Sequence, residues 1–243
     1  MIEYYIISLG VMIVCGIIAS VASARVHSAY KKYGNMSTQS HTTGYDTATR
    51  LLRANGVQDI SVGRVGGFLS DHYHPVRGQV NLSGEVYGND SIAACAVAAH
   101  EIGHVMQKKK GYLPYKIRTA LVKITNIGSY LAVPLVLIGL VLDFIVLATD
   151  SNIGFYVALA GVGLYGLSTV FAFVTLPVEL DASRRAKKML VAEGILTKEE
   201  LKYADKMLDA AAQTYLASLL TSMIYFLRFV LWVLLLFGRR RRK

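Results

Sequence analysis

The sequence predicts a mainly α-helical integral membrane protein with a small β-ribbon outside the membrane. Of its 243 residues, 53% are hydrophobic, and the mean hydropathy of +0.42 is too high for an ordinary soluble protein. Apolar residues are concentrated in four windows, whereas one short polar region alternates in the manner of β-strands. These observations predict several membrane-spanning helices with polar parts between them.

Each apolar window has the length of a helix that crosses a bilayer. About 20 residues cross roughly 30 Å of hydrocarbon. The windows are residues 4–24, 125–149, 153–177 and 215–237. We therefore predict five parts along the chain. They are a transmembrane anchor (4–24), a first polar part (25–124), a transmembrane hairpin turning at "DSN" (125–177), a second polar part (178–213), and a last apolar segment with a basic tail (214–243).

Charge placement predicts the orientation of the anchor and the class of partner. The first window lacks a basic residue before it, unlike a secretory signal, and Arg25, Lys31 and Lys32 follow it. We expect an uncleaved anchor with its N-terminus outside and the polar parts in the cytoplasm. The net charge of +10 arises mainly from residues 25–124 and the terminal "GRRRRK". Basic flanks of this kind suit anionic lipids, so we predict a bilayer as partner and no nucleic acid.

The first polar part contains the predicted ribbon and two helices. "YDTATRLLRANG" is typical of an amphipathic helix that ends at Gly56. "DISVGRVGG" and "GQVNLSGEVYG" alternate as strands, and "DHYHPVRG" between them has turn composition. Asn89 or Asp90 is an N-cap candidate for the helix "SIAACAVAAHEIGHVMQKKK".

That last helix carries the chemical motif of the sequence. His100 and His104 are four residues apart, so a helix presents both imidazoles on one face to a single metal ion. Glu101 follows the first histidine, where a carboxylate can take a proton from zinc-bound water. The alternative is two surface histidines beside a solvated glutamate. The spacing favours one Zn²⁺ per chain and a zincin-like catalytic unit, made of the motif helix and the ribbon and joined to the transmembrane helices.

A third ligand can be found by elimination. No histidine follows His104, and the only acids between His104 and Glu179 are Asp143 and Asp150. Glu179 follows the third window, where we expect a helix to begin after Pro177. Two spans separate His104 from Glu179, so the hairpin returns the chain to the side of the membrane that it left. Glu179 is therefore the predicted third ligand.

The same residues carry a family resemblance that covers nearly the whole chain. "VAAHEIGHVMQ", an apolar hairpin and then "LPVELDASRRA" resemble the YugP-type, or neutral, membrane zinc metallopeptidases. The layout is more distantly similar to HtpX-type quality-control proteases and CAAX prenyl-proteases. The resemblance implies a bacterial plasma-membrane enzyme, multi-pass and gluzincin-like, whose substrates are proteins or peptides. It implies no oligomeric state.

Several further residues are weaker candidates. Asp181 is an alternative zinc ligand, or else it orients a histidine ligand. Tyr73 and His72 are either turn surface or lie near the cleft. Arg184, with Arg185 beside it, either polarises a substrate carbonyl or forms ion pairs.

Two other functions remain open at this point. Asp143 lies in an apolar window, as in site-2-type intramembrane proteases, but we place it roughly 25–30 Å along the span, near the opposite face. A non-catalytic zinc-bound scaffold or adaptor is the second alternative, although it would have no use for Glu101. The sequence favours a zinc endopeptidase that acts at the cytoplasmic membrane face in membrane-protein quality control or processing.

Overall fold

The computed structural model describes residues 2–145 and 153–238, and it is mainly helical. The predicted "DSN" turn and most of the basic tail lie outside the described residues. The described elements are, in chain order, α1 (Ile2–Tyr33), α2 (Gly44–Ala54), β1 (Ser61–Val65), β2 (His72–His74), β3 (Gln79–Ser83), α3 (Gly84–Tyr87), α4 (Ile92–Lys109), α5 (Leu113–Ile145), α6 (Ile153–Ala192) and α7 (Lys198–Gly238). They fall into two compact units, which we describe separately.

The first unit contains the described residues of 1–19, 117–176 and 216–243, and it carries the apolar windows. Among the described residues, α1, α6 and α7 are each long and apolar enough to cross a membrane. The second window lies in α5, which meets this test only as two parts, Leu113–Gly128 and Tyr130–Leu142, bent by 40°. Large apolar side chains such as Ile6, Leu137 and Leu234 remain exposed, as expected of surfaces that face lipid.

Small residues bring α5 and α6 close together in this unit. A Cβ added at Gly161 would lie 2.6 Å from the carbonyl oxygen of Ala132, and one at Gly139 would lie 2.5 Å from that of Gly154. Close contact of helices at small residues is common in membranes. On α7, the Arg228 guanidinium donates a hydrogen bond to the Ser8 hydroxyl of α1, so the charge within the last window has a polar partner.

The second unit comprises 20–116 and 177–215, and it contains a three-stranded sheet of order β1-β3-β2. The two segments predicted as strands do pair, as β1 and β3, but the prediction that "DHYHPVRG" between them is only a turn is wrong. The segment expected to be a turn contributes β2, which pairs antiparallel with β3, and β1 therefore runs parallel to β3. The chain reverses between β2 and β3 at Gly78, whose φ of +62° suits glycine.

Helix α4 lies in the core of the second unit. Its N-cap is Ser91 and not Asn89 or Asp90, because the Ser91 hydroxyl accepts a hydrogen bond from the Ala94 N–H at 3.2 Å. Asn89 instead accepts from the Ser91 N–H. The alanines of α4 are fully buried, which lets neighbouring elements approach closely, and α2, α3 and β2 pack against it. Helix α2 matches its predicted position, with Gly56 at φ +68° just after it.

Helix α6 corrects the prediction that a helix begins after Pro177. This proline lies inside a continuous helix of 40 residues. Proline removes one helical hydrogen bond, yet apolar helices tolerate it where other groups satisfy the freed carbonyl. Consequently Glu179 lies on the same helix as the third apolar window and not at a helix start.

Candidate metal centre

The site is built where α4 and α6 pack together in the second unit. A Cβ added at Gly103 would lie 2.5 Å from the carbonyl oxygen of Ala182, so only glycine permits this separation of the two helices. Gly103 lies between the two motif histidines, and Ala182 lies one turn after Glu179. The close approach therefore brings the Glu179 carboxylate to the histidine face of α4.

Three potential metal ligands converge at this point. The Glu179 Oε2 atom lies 3.2 Å from the His100 Nε2 atom and 3.4 Å from the His104 Nε2 atom. One ligand atom from each residue lies within 4.8 Å of the others. Glu179 is only 2% exposed and His104 8% exposed, so the cluster is largely shielded from solvent.

The donor set fits zinc in chemistry and in spacing. Two imidazole nitrogens and one carboxylate oxygen are a common protein ligand set of catalytic zinc sites, which leave a fourth position open. Tetrahedral bonds of about 2.1 Å place neighbouring ligand atoms about 3.4 Å apart. The two nitrogen–oxygen distances of 3.2 and 3.4 Å agree with that spacing.

Gln107 fixes which nitrogen of His104 carries a proton. The fully buried Gln107 amide donates from Nε2 to the Val178 carbonyl at 2.7 Å and to Asp181 Oδ2 at 3.0 Å. Both partners only accept, so the amide orientation is defined and its Oε1 atom must accept from His104 Nδ1 at 3.0 Å. His104 Nε2 therefore faces Glu179 either with a second proton or with a lone pair for a cation.

The electrostatics of the metal-free cluster follow from this arrangement. Burial alone would lower the pKa of His104, but the hydrogen bond and the charge of Glu179 raise it above its usual value. Burial alone would raise the pKa of Glu179, but hydrogen bonds from His100 and His104 hold it well below its usual range. The carboxylate is thus ionised and ready to accept a positive partner.

Asp181 contacts the cluster through Gln107 and not through a histidine. Its carboxylate accepts hydrogen bonds from Gln107, from Arg184 and, at 2.5 Å, from Arg185. Burial alone would raise the pKa of Asp181, but the hydrogen bonds from Arg185, Gln107 and Arg184 lower it. Asp181 is not part of the three-residue group of potential ligands. Arg184 is directed to Asp181, while its side chain remains largely exposed.

His100 and Glu101 complete the motif face of α4. His100 Nδ1 lies 3.1 Å from the Ser183 hydroxyl of α6, so both histidines have a polar partner on the nitrogen that faces away from Glu179. Glu101 is 8% exposed. Together with His100 it lines a cavity of about 260 Å³ within the second unit. A carboxylate is thus available beside His100, at a cavity that α4 lines together with α1 and α7.

The remaining sequence candidates that the structure describes are not among the three potential ligands. His72 is exposed on β2, with its ring nitrogens near the Ser70 carbonyl and the Asn81 amide. Tyr73 is buried, and burial, together with the nearby Tyr115 and Asp59, raises its pKa to about 12. The side chain of Asp143 lies outside the described residues.

Gln107 and Ser183 were not singled out from the sequence. Gln107 lies three residues after His104, and Ser183 lies four residues after Glu179. Both spacings place a polar side chain one helical turn from a predicted ligand. That signal marks them as possible partners, but it does not reveal which ring nitrogen each one meets.

Comparisons with known proteins identify the family to which the chain is similar. Residues 5–234 match the family described as "Putative neutral zinc metallopeptidase". Over 210 residues the chain is 39% identical to "Putative membrane protease YugP" of Bacillus subtilis (strain 168), and the match covers 86% of this chain and 89% of that protein. No solved structure matches the chain significantly.

Proposed function

The chain belongs to the neutral zinc metallopeptidase family, and from this premise we propose that it is a membrane-bound, zinc-dependent endopeptidase. The single observation that carries this proposal is the convergence of His100, His104 and Glu179, with Glu101 beside them. We expect a gluzincin-like enzyme with a zincin-like catalytic unit, in which the motif helix and the small sheet serve hydrolysis of peptide bonds.

In this proposal, His100 and His104 bind one Zn²⁺ through their Nε2 atoms and Glu179 binds it through a carboxylate oxygen. The bound ion would lower the pKa of a water molecule towards neutrality and polarise the scissile carbonyl. Gln107 and Ser183 hold the two rings in place through Nδ1. Partners of this kind fix the tautomer of a ligating histidine and increase its basicity. Asp181 has the supporting role of orienting Gln107.

Glu101 is the proposed general base and acid. Its carboxylate takes the proton of the attacking water and later delivers that proton to the leaving amine nitrogen. Its low exposure and its position beside the cavity support this role. A site that served only the fold would gain nothing from an additional buried carboxylate at this position, so Glu101 argues against a non-catalytic scaffold.

The substrate backbone would pair with the sheet. β2 is an edge strand, and it is the strand that makes the most extensive contact with α4. Its outer edge can therefore add an extended peptide by backbone hydrogen bonds, a common mode of peptide recognition. We propose that proteins or peptides, including membrane proteins, are held in this way.

The proposed location is the cytoplasmic face of a bacterial plasma membrane. Three described helices are long and apolar enough to cross a bilayer. The basic residues that follow the first apolar window favour a cytoplasmic position for the second unit. A protease there has access to membrane proteins that misfold or await processing, and quality control or processing is the role we propose.

Cleavage of a denatured soluble protein by the detergent-purified enzyme tests the proposal. We expect cleavage with zinc present, its loss on chelation, its return with added zinc, and no cleavage by Glu101→Gln. Glu199→Gln is a matched control, because Glu199 is an exposed acid paired with Lys202. A zinc-loaded wild type that cuts neither denatured nor membrane proteins would support the scaffold instead.

A further inference from the structure

Apolar side chains form much of the lining of the cavity beside Glu101, together with the polar residues Ser23, His27, Asp71 and Thr214. Val97 lies one turn before Glu101 on α4, and Val26, Leu69, Met207, Leu208 and Ala211 contribute from other elements of the second unit. Its volume of about 260 Å³ lies below the range of about 300–1,000 Å³ of pockets that hold drug-sized ligands. The space suits one large side chain better than a free small molecule.

Only some of the site residues line the cavity, and this indicates which side of the scissile peptide bond lies next to it. Of the four motif and ligand residues, His100 and Glu101 line this cavity, whereas His104 and Glu179 do not. Glu101 returns its proton to the leaving nitrogen, so that nitrogen must lie next to Glu101. The residue that carries this nitrogen is the one directly after the scissile bond. Its side chain is therefore the part of the substrate nearest to the cavity.

We propose that this cavity is a specificity pocket for a large apolar side chain, such as leucine, methionine or phenylalanine, on the residue directly after the scissile bond. The assignment rests on the proposed peptidase function. Substrates would be selected by exposed apolar residues, which folded soluble proteins bury and which unfolded or membrane proteins present. The pocket thus gives a chemical basis for a preference for such substrates.

Two acids line the cavity, Asp71 and Glu101, but neither makes it a pocket for basic side chains, because Glu101 is the proposed general base and Asp71 is held by Ser83. Asp71 accepts from the Ser83 N–H at 2.7 Å through Oδ1 and from the Ser83 hydroxyl at 3.1 Å through Oδ2. Both carboxylate oxygens thus already have partners within the protein. A lysine or arginine side chain would have to cross the apolar surface of Val97 and Leu208, at a desolvation cost that Asp71 would offset only in part.

Mapping of cleavage sites tests the pocket directly. The zinc-loaded wild type is given a denatured, alkylated soluble protein, and the products are sequenced by mass spectrometry. We expect large apolar residues directly after the cuts. Ala211→Phe fills the cavity and should shift the preference to alanine, glycine and serine. Ala212→Phe, at a neighbouring position that does not line the cavity, should keep the wild-type preference.

A second variant covers the case in which Ala211→Phe does not fold. Val97→Ala enlarges the cavity by two methyl groups next to Glu101, so preference should move from leucine towards phenylalanine and tryptophan. No apolar preference in the wild type, a preference for basic residues, or equal shifts with Ala211→Phe and Ala212→Phe would overturn the assignment.

A binding measurement separates the pocket from the catalytic proposal. Fluorescent alanine-rich peptides that differ at one position are titrated against the uncleaving Glu101→Gln variant. We expect leucine to bind at least about tenfold more tightly than alanine or lysine, as is usual for apolar pockets. Adding Ala211→Phe should remove the difference. Selective binding without wild-type cleavage would refute only the peptidase function, whereas cleavage with equal binding of all peptides would refute the pocket.

Discussion

Substitution of Gln107 by leucine is the sharpest test of how the two proposed histidine ligands are held. Leucine has nearly the same volume as glutamine but cannot hydrogen-bond. The change leaves the His104 Nδ1–H and the Val178 carbonyl without the partners that now lie at 3.0 and 2.7 Å. Asp181 loses one donor but keeps Arg184 and Arg185. The loss of hydrogen bonds should therefore affect the position of His104 more than that of Asp181.

The burial of Gln107 sets the size of the expected loss of stability. Gln107 is wholly buried, and a buried polar group left without a partner costs about 1–3 kcal/mol. Two such groups predict a loss of about 2–6 kcal/mol in the free energy of unfolding of the second unit. Removal of a partner that orients a metal-ligating histidine typically lowers metal affinity about 10–100-fold. We expect Gln107→Leu to weaken zinc binding by a factor in this range.

The assay is competition for zinc between the purified protein and a chelator of known affinity. Gln58→Leu is the matched control, because Gln58 is exposed, and it should leave zinc affinity unchanged. Thermal unfolding in the same detergent gives the loss of stability independently. If Gln107→Leu binds zinc within about a factor of two of wild type, the proposed control of the His104 tautomer is wrong.

Three further predictions concern packing, burial and metal. Gly103→Ala should lower the free energy of unfolding by about 1–3 kcal/mol and weaken zinc binding, because the added methyl group would meet the Ala182 carbonyl. Gly88→Ala is the control for thermal unfolding, because a methyl group at Gly88 meets open space. Burial raises the pKa of Cys95 to about 11, so little of its thiol is ionised at pH 8. In a Cys15→Ser background, maleimide should therefore label Cys95 at least about a hundredfold more slowly in the native protein than in denaturant. Chelation should lower the unfolding midpoint, by an amount that corresponds to about 4 kcal/mol at zinc concentrations a thousandfold above its Kd, because the metal binds the folded state.

The proposed metal site could be predicted because its residue spacings can be read directly from the sequence. His100 and His104 fall on one helical face because their spacing is four residues, and Glu179 was reached because few acids were available. The structure brings these three side chains together. Gln107 could not be assigned a partner, because its hydrogen bonds depend on the distance between α4 and α6, which Gly103 sets.

The fold could be predicted less completely where the local sequence favours one structure and contacts with distant residues impose another. β2 has three residues and lies next to Pro75, so its composition indicates a turn, and only pairing with β3 makes it a strand. Proline favours the first turn of a helix, so the sequence predicts a helix that begins after Pro177. The apolar helix continues through it. The division into five parts along the chain stays a prediction.

Zinc content of the purified wild type and two variants tests the central claim most directly. Elemental analysis should give one zinc per chain for the wild type and for Glu101→Gln, because Glu101 is the proposed base and not a ligand. Glu179→Gln should retain almost none, since a neutral amide is a poor zinc ligand. Full zinc occupancy in Glu179→Gln, or its loss in Glu101→Gln, would contradict the assignment of these two carboxylates.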